Sequence, residues 1–97
     1  MKNSIVFFLF FQCLLLNAQQ LENEIYTALD VFVADKNSTS LEKLSALENI
    51  FEQKVATKKE QLALVILQCN KAYYLKEINK ESEAISTYEK AWKRYSE

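Results

Sequence analysis

The segment Cys69–Tyr95, CNKAYYLKEINKESEAISTYEKAWKRY, carries the pattern of a helix, a turn and a second helix. Asn79 marks the turn, because asparagine is the best residue other than glycine for the left-handed conformation that ends a helix. Beyond it, apolar side chains recur at helical spacing in one stripe: Ala84, Ile85, Tyr88, Ala91, Trp92 and Tyr95. We therefore predict one helix that ends at Asn79 and another from Lys80 or Glu81 to Tyr95.

The helix before Asn79 is predicted to begin at a capping box formed by Thr57 and Glu60. Residues 62–67 are then apolar on nearly all sides, which is also compatible with a buried strand. The capping box and the continuation to Ile78 favour a helix, since buried strands are rarely longer than about eight residues. Because a helix without a polar face must be covered on two sides, we expect it to lie between its neighbours.

Two further helices are predicted upstream. The first runs from about Leu21 to Asp35, with one apolar stripe formed by Leu21, Ile25, Ala28, Leu29 and Phe32. A polar break at residues 37–40 follows, and Thr39 and Glu42 have the spacing of a second capping box. The second helix is expected to bury Leu41, Leu44, Leu47, Ile50, Phe51 and Val55, and to expose Glu42, Lys43, Glu48, Glu52 and Lys54.

The composition gives no support for catalysis or cofactor binding. The chain has no Gly, Pro or His, which removes phosphate-binding glycine loops and the commonest general base and metal ligand. The carboxylate pairs Glu22/Glu24 and Glu81/Glu83 are two residues apart and point to different helix faces. Cys69 lies in an apolar stretch and is expected to be a buried hydrophobe. With a net charge of −1, a nucleic-acid partner is not expected either.

Residues 1–18 have the outline of a secretory signal peptide. Lys2 provides the positive charge, an apolar run follows, and the small Ala18 stands at the expected cleavage site. The prediction is therefore an exported protein, periplasmic or secreted, without a membrane segment after cleavage. An N-terminal anchor that is never cleaved is the alternative. Cys13 would leave with the signal, so the exported chain keeps Cys69 alone and forms no internal disulfide.

Residues 57–97 resemble a tetratricopeptide repeat, a helix-turn-helix unit that stacks into an α-solenoid. Ala72 holds the small position of the first helix, Asn79 the turn, and Ala84, Tyr88 and Ala91 the small–aromatic–small pattern of the second. The resemblance implies an all-α protein of antiparallel helical hairpins, with about four helices after the signal peptide. Residues 19–56 lack this pattern, so they form either a diverged repeat or a capping hairpin.

The sequence of residues 67–74 and 84–92 is also similar to that of exported bacterial proteins that carry such repeats ahead of a caspase-like (CHAT) peptidase domain. This resemblance implies that the chain is the N-terminal part of a longer protein, whose catalytic Cys and His have no counterparts here. A small exported four-helix protein is the other interpretation. An isolated repeat cannot bury its apolar stripe, and about three are needed for stability.

The function that these patterns favour is a non-catalytic scaffold for a protein or peptide partner. Candidate contacts are Asn70, Lys71 and Tyr74 on the first helix of the repeat, and Trp92 on the second. Since Tyr73 and Tyr74 are adjacent, we expect only one of them in the core. The alternatives are the peptidase fragment and a secreted homo-oligomer that pairs Tyr88, Trp92 and Tyr95 across a two-fold axis.

Overall fold

The computed structural model describes residues 20–97, and the regular structure of this part of the chain is entirely helical, without a β-strand. Helix α1 covers residues 20–34, α2 Ser38–Lys54, α3 Lys58–Glu77 and α4 Glu81–Ser96. The all-α prediction is confirmed, and the apolar residues 62–67 lie within α3. The predicted signal peptide, residues 1–18, falls outside the described residues.

Helix α3 begins at the predicted capping box. The backbone N–H of Glu60 donates to Thr57 Oγ1 at 3.1 Å, and the N–H of Thr57 donates to Glu60 Oε1 at 2.9 Å. The N–H of Ala56 donates to the same carboxylate oxygen. These bonds, first that from Thr57 and then that from Ala56, hold the pKa of Glu60 below its ordinary value, although its burial acts in the opposite direction. The ionised carboxylate therefore fixes the start of α3.

Helix α2 is also capped by a reciprocal box, but not by the predicted one. Asn37, not Thr39, is the N-cap: its Oδ1 accepts from the N–H of Ser40, and Ser40 Oγ accepts from the N–H of Asn37. The prediction of Thr39 with Glu42 is thus wrong by two residues. Asparagine is as good an N-cap as serine, and a serine hydroxyl can replace the usual glutamate three residues later.

The turn between α3 and α4 is made as the sequence predicts. Asn79 has a φ of 64°, the one positive φ among the non-glycine residues of the described part. The N–H of Lys80 donates to the carbonyl of Leu75 at 2.8 Å, and that of Asn79 to the carbonyl of Lys76 at 3.1 Å. This pair of bonds is a Schellman motif, which satisfies the last carbonyls of α3 and reverses the chain.

One apolar core joins all four helices. Its buried members are Ile25, Phe32, Leu41, Leu44, Phe51, Ala63, Leu64, Leu67, Leu75 and Ala84. From α1, the ring of Phe32 meets that of Tyr74 edge to face, with centroids 5.3 Å apart. The predicted stripe of α1 is confirmed, because Ile25, Leu29 and Phe32 are buried while Leu21 and Ala28 are partly buried.

The buried face of α2 differs from the prediction in three side chains. Leu47 and Ile50 are exposed, although they were expected in the core, and Glu48 is only 3% exposed, although it was expected in solvent. The reason is rotational. Leu44, Glu48 and Phe51 follow four- and three-residue steps on one face, whereas Leu47 and Ile50 each lie about 100° from a member of that face. Glu48 therefore occupies a core position between two apolar side chains.

Helix α3 packs against both α2 and α4, as its apolar composition predicts. Ala63, Leu64, Val65 and Leu67 are all buried, and Ala72 and Leu75 continue the buried surface towards Asn79. Leu62 is a correction, because it is exposed although the run was expected to be covered throughout. The exposed Leu62 lies near the end of α4, beside Tyr95, in a surface cleft described below.

Candidate interaction surfaces

Helix α4 presents four large apolar side chains to solvent. The exposed fractions are 57% for Ile85, 38% for Tyr88, 68% for Trp92 and 65% for Tyr95. They follow spacings of three, four and three residues, which places them in one line along the helix. The rings of Trp92 and Tyr95 are tilted by 31°, with centroids 6.2 Å apart. We call this line of four residues the α4 outer face.

The apolar residues of α4, which were expected to form a single buried stripe, are divided between a buried side and an exposed side of the helix. Ala84, Thr87 and Ala91 are buried, while the larger members of the stripe form the α4 outer face. Thr87 is tolerated in the buried row because its hydroxyl donates to the carbonyl of Glu83 at 2.8 Å. Small side chains on the inner row let α4 approach α3 closely, so the large side chains beside them remain outside the contact.

Three of the predicted contact residues lie on α3 and already have partners within the chain. Asn70 Nδ2 donates to the carbonyl of Ile66 at 2.8 Å, and Lys71 Nζ forms an ion pair with Glu48 Oε1 at 2.6 Å. Tyr74 packs against Phe32, whereas its neighbour Tyr73 is exposed, so one of the two tyrosines is in the core as expected. The fourth residue, Trp92, has most of its side chain free for contact.

A polar cluster is buried between α2 and α3. Gln68, which is fully buried, donates through Nε2 to Glu48 Oε2 and to Glu52 Oε1, both at 3.0 Å. Lys71 bonds to the other oxygen of Glu48. Gln68 Oε1 is buried and has no hydrogen-bond partner. We call Glu48, Glu52, Gln68 and Lys71 the α2–α3 polar cluster.

The cluster can fix the relative position of two helices, but its chemistry is that of a structural contact. The Lys71 ammonium neutralises one carboxylate of the pair, and both N–H groups of Gln68 are used. Breaking such a buried charge pair is costly, whereas the pair itself adds little stability over an apolar replacement. The cluster therefore sets which residues of α2 can face α3.

A groove of about 700 Å³ lies between α1 and α2. Its apolar lining consists of Ala28, Val31, Phe32, Leu44, Leu47 and Phe51. Val31 is 64% exposed and Leu47 is also exposed, so the groove is open at the surface. Glu24 and Lys43, which carry opposite charges, also line it. The volume is within the range of small-molecule sites.

A wider cleft of about 1010 Å³ is formed by the first turns of α3 and the last turns of α4. Lys58, Lys90 and Lys93 line it together with the apolar Leu62 and Tyr95. Arg94 donates to Gln61 Oε1 across the cleft, which ties the end of α4 to the beginning of α3. The cleft is continuous with the α4 outer face through Tyr95.

The single cysteine of the described part is partly buried and reduced. Burial raises the pKa of the Cys69 thiol, which keeps it protonated and weakens it as a nucleophile. Within residues 20–97, no three His, Cys, Asp or Glu side chains lie where they could share a metal ion. In the same range, no helix has the length and apolarity needed to cross a membrane.

The α2–α3 polar cluster and the α1–α2 groove were not predicted from the sequence. A signal for the cluster was present, since Glu48 lies four residues after Leu44 and three before Phe51, and Gln68 directly follows a run of six apolar residues. Polar residues at such positions need buried partners. The groove had no comparable signal, because it depends on how far α1 and α2 separate.

Comparison with known proteins gave no match: no protein-family profile fits the chain, and no curated protein or solved structure is significantly similar to it.

Proposed function

We propose that this chain is a non-catalytic interaction scaffold of the tetratricopeptide-like type, and that its α4 outer face binds a helix of another polypeptide. The observation that carries the proposal is the line of Ile85, Tyr88, Trp92 and Tyr95, exposed along one side of a well-packed helix. Tryptophan and tyrosine dominate the binding energy of protein interfaces. A contiguous apolar surface on a folded domain is typical of a contact site.

The contacts within the chain support a repeat-like arrangement of antiparallel helix pairs. Arg94, near the end of α4, bonds to Gln61, near the beginning of α3. The contacts between α2 and α3 also run in opposite order along the chain. Glu48 bonds to Lys71, whereas Glu52, which is later in α2, bonds to Gln68, which is earlier in α3. Antiparallel helices give this order.

Small residues at the α3–α4 contact support the same arrangement. Ala72, Ala84 and Ala91 are all almost completely buried, and these are the small positions on which the resemblance to the tetratricopeptide repeat rests. In such arrays, the outer side of the second helix packs against a following helix. We assign the α4 outer face to a contact of this kind because its large apolar side chains are exposed.

A non-catalytic role is supported by the state of the groups that could carry chemistry. The Cys69 thiol has a raised pKa and no histidine to activate it. Glu81 and Glu83 are exposed, and Glu22 and Glu24 lie at the surface of α1. We propose that Lys71, Asn70 and Tyr74 stabilise the helices of this chain. Trp92 is the residue that we expect to contact the partner.

We also propose that the chain is exported through residues 1–18. The test is to express the full chain in a bacterium and to determine the mass and N-terminal sequence of the product outside the cytoplasm. An exported form that begins at Gln19 is expected. Retention of the full-length chain in the cytoplasm or in the membrane would contradict export with cleavage, and would leave the proposal for α4 untouched.

The docking proposal is tested with a displayed library of amphipathic helical peptides, selected against the full chain. Selected peptides are expected to lose about 30-fold or more in affinity when Trp92→Ala is introduced, the effect of a hot-spot residue. Val31→Ala is the matched control, since Val31 is about as exposed as Trp92 but lies in the α1–α2 groove. The Val31→Ala variant should bind the same peptides with the affinity of the wild type.

Two results would contradict this assignment. Peptides whose binding depends on Val31 and not on Trp92 would place the contact in the α1–α2 groove. The chain must first be shown to be folded, by its resistance to protease, and monomeric. If no peptide is then selected, the α4 outer face does not bind helical peptides. Helicity measured by circular dichroism should be equal in all variants, because both substituted side chains are exposed.

A further inference from the structure

Resting on the proposed function, we propose that the occupant of the α4 outer face is the same face of a second copy of this chain, with the two α4 helices antiparallel. The dimer would then be the unit that functions. The proposal depends on the order of the exposed side chains along α4 and on the charges beside them.

The spacing of the exposed side chains is self-complementary. Steps of three, four and three residues are the same in both directions along the helix. A reversed second copy therefore brings Ile85 opposite Tyr95 and Tyr88 opposite Trp92 of its partner. The same three- and four-residue steps form the apolar seam of paired helices. Each aromatic of the pair then meets a different residue, so large rings are not stacked on their own copies.

The charges next to the seam favour the antiparallel over the parallel orientation. Glu89 and Lys93 are exposed and border the same side of the α4 outer face, one helical turn apart. In the antiparallel pair these edges lie on the same side of the seam, and each Lys93 is about 3 Å along the axis from Glu89 of the other copy, given a rise of about 1.5 Å per residue. The two Glu89 side chains are offset by about 3 Å as well, but the two Lys93–Glu89 pairs outnumber this one like-charge contact. A parallel pair is related by a two-fold axis along the helices, which places the Glu89 and Lys93 edges of the two copies on opposite sides of the seam, so these ion pairs do not form.

The ends of α4 add to this preference. Its first turn carries Glu81 and Glu83, and its last turn carries Lys93 and Arg94. Reversal moves the basic end of each helix towards the acidic half of the other, and it also opposes the two helix dipoles. The α1–α2 groove has no such self-complementary pattern, so we place the contact between copies on α4.

The first experiment is sedimentation of the purified exported form, which begins at Gln19, over a range of concentrations. The wild-type chain is expected to dimerise, and Trp92→Glu is expected to weaken the dimer by about 30-fold or more, because it removes a central aromatic and buries a charge. Val31→Glu is the matched control, with similar exposure on a different surface. It should dimerise like the wild type.

The second experiment determines the orientation. In the exported form with Cys69 replaced by alanine, Glu89→Cys and Lys93→Cys are prepared separately and treated with a short bismaleimide. Mixed samples are expected to give the 89–93 cross-link, identified by mass spectrometry, and Glu89→Cys alone should also cross-link, whereas Lys93→Cys alone should cross-link poorly because its two copies are about 9 Å apart along the axis. Both positions lie outside the α4 outer face, so its apolar contact is retained.

Three outcomes overturn the proposal. A wild-type chain that is monomeric at near-millimolar concentration excludes the second copy, and if peptides still bind in a Trp92-dependent way, the proposed function stands with another occupant. A dimer that survives Trp92→Glu but not Val31→Glu is formed through the α1–α2 groove. A dimer that gives neither the 89–93 nor the 89–89 cross-link is not the antiparallel pair, because a parallel pair keeps these positions on opposite sides of the seam.

Discussion

Where α3 meets α4, the buried side chains of the contact include three alanines, whereas where α3 meets α2 the contact includes a glutamate, a glutamine and a lysine. Ala72, Ala84 and Ala91 allow close approach at the first interface, and any larger side chain would separate the helices. At the second, Glu48, Gln68 and Lys71 reach across a wider gap and must pair with one another. The same helix is thus held by shape on one side and by hydrogen bonding on the other.

The difference predicts how each interface fails. An interface held by small apolar residues is destabilised by any added side-chain volume. It loses little stability when an exposed residue next to the interface is substituted. An interface held by a polar cluster tolerates the loss of the whole cluster better than the loss of one member, because a single deletion leaves a buried group without its partner.

The largest effect is expected for Glu48→Ala. It leaves the Lys71 ammonium, with 14% of its side chain exposed, and an N–H of Gln68 without their acceptors. We expect a loss of about 3 kcal/mol in the free energy of unfolding, measured by urea denaturation. The double variant Glu48→Ala/Lys71→Met should regain the part of this loss that comes from the unpaired Lys71 ammonium, while the unpaired N–H of Gln68 remains. If the single variant costs less than about 1 kcal/mol, the cluster does not hold α2 to α3.

Next in size is Ala91→Leu, which adds volume to the α3–α4 interface. Ala91 is almost completely buried, so we expect a loss of about 1–3 kcal/mol in unfolding free energy. Lys90→Leu is the control, because it introduces the same side chain one residue earlier at an exposed position. A stability change for Ala91→Leu no larger than that for Lys90→Leu would show that the helices are not closely packed there.

A smaller effect is expected at the turn that sets the α3–α4 approach. Asn79→Ala places a Cβ without a compensating polar group at φ 64°, which should cost about 1 kcal/mol. Asn79→Gly should be neutral or stabilising, since glycine adopts this conformation freely. Thermal unfolding of the two variants gives the comparison. Equal destabilisation by both would mean that the asparagine side chain, and not its backbone conformation, is what the turn requires.

The smallest effect concerns the joint between α2 and α3. Glu60→Gln should lower stability at neutral pH by about 0.5–1 kcal/mol, because the charged acceptor of two backbone N–H groups is lost. The pKa of Glu60 is lowered in the folded chain, so its contribution is present above the ordinary value of 4.5 and is lost as the pH falls through the lower folded pKa.

Urea denaturation at several pH values checks this sign. The difference between the wild type and Glu60→Gln should be full at pH 7 and should shrink only in the acid range below the ordinary pKa of Glu60. Glu42→Gln is the control, since Glu42 is exposed near the start of α2 and takes no part in its capping box. A difference that grows on acidification would contradict the assignment.

The sequence predicted the local features of the α3–α4 pair better than those of the α2–α3 contact. Thr57 with Glu60, and Asn79, are short-range signals that depend on a few neighbouring residues, and the structure confirms both. The cap of α2 was missed because Asn37 and Thr39 are both good caps, and only the actual path of the chain separates them. Helical spacing placed Ala84 and Ala91 on the buried side, but it could not separate them from Ile85 and Trp92.

What the sequence could not supply was the identity of the neighbour at each position. Glu48 was placed in solvent because a charged side chain normally is, and its burial becomes understandable only when Gln68 and Lys71 lie across from it. Ile50 was placed in the core because it is apolar, and it is exposed because no helix in the described part covers that side of α2. Of the candidate contact residues, Trp92 alone combines an apolar ring with large exposure.

Trp92 also gives the molecule a built-in optical reporter, because it is the sole tryptophan of the sequence and lies in the middle of the α4 outer face. In the single chain the indole is exposed to water, so a helix or a second copy that covers α4 will shift the tryptophan emission to shorter wavelength. Occupancy can therefore be followed in the unlabelled protein, without a dye, and the signal belongs to one surface only.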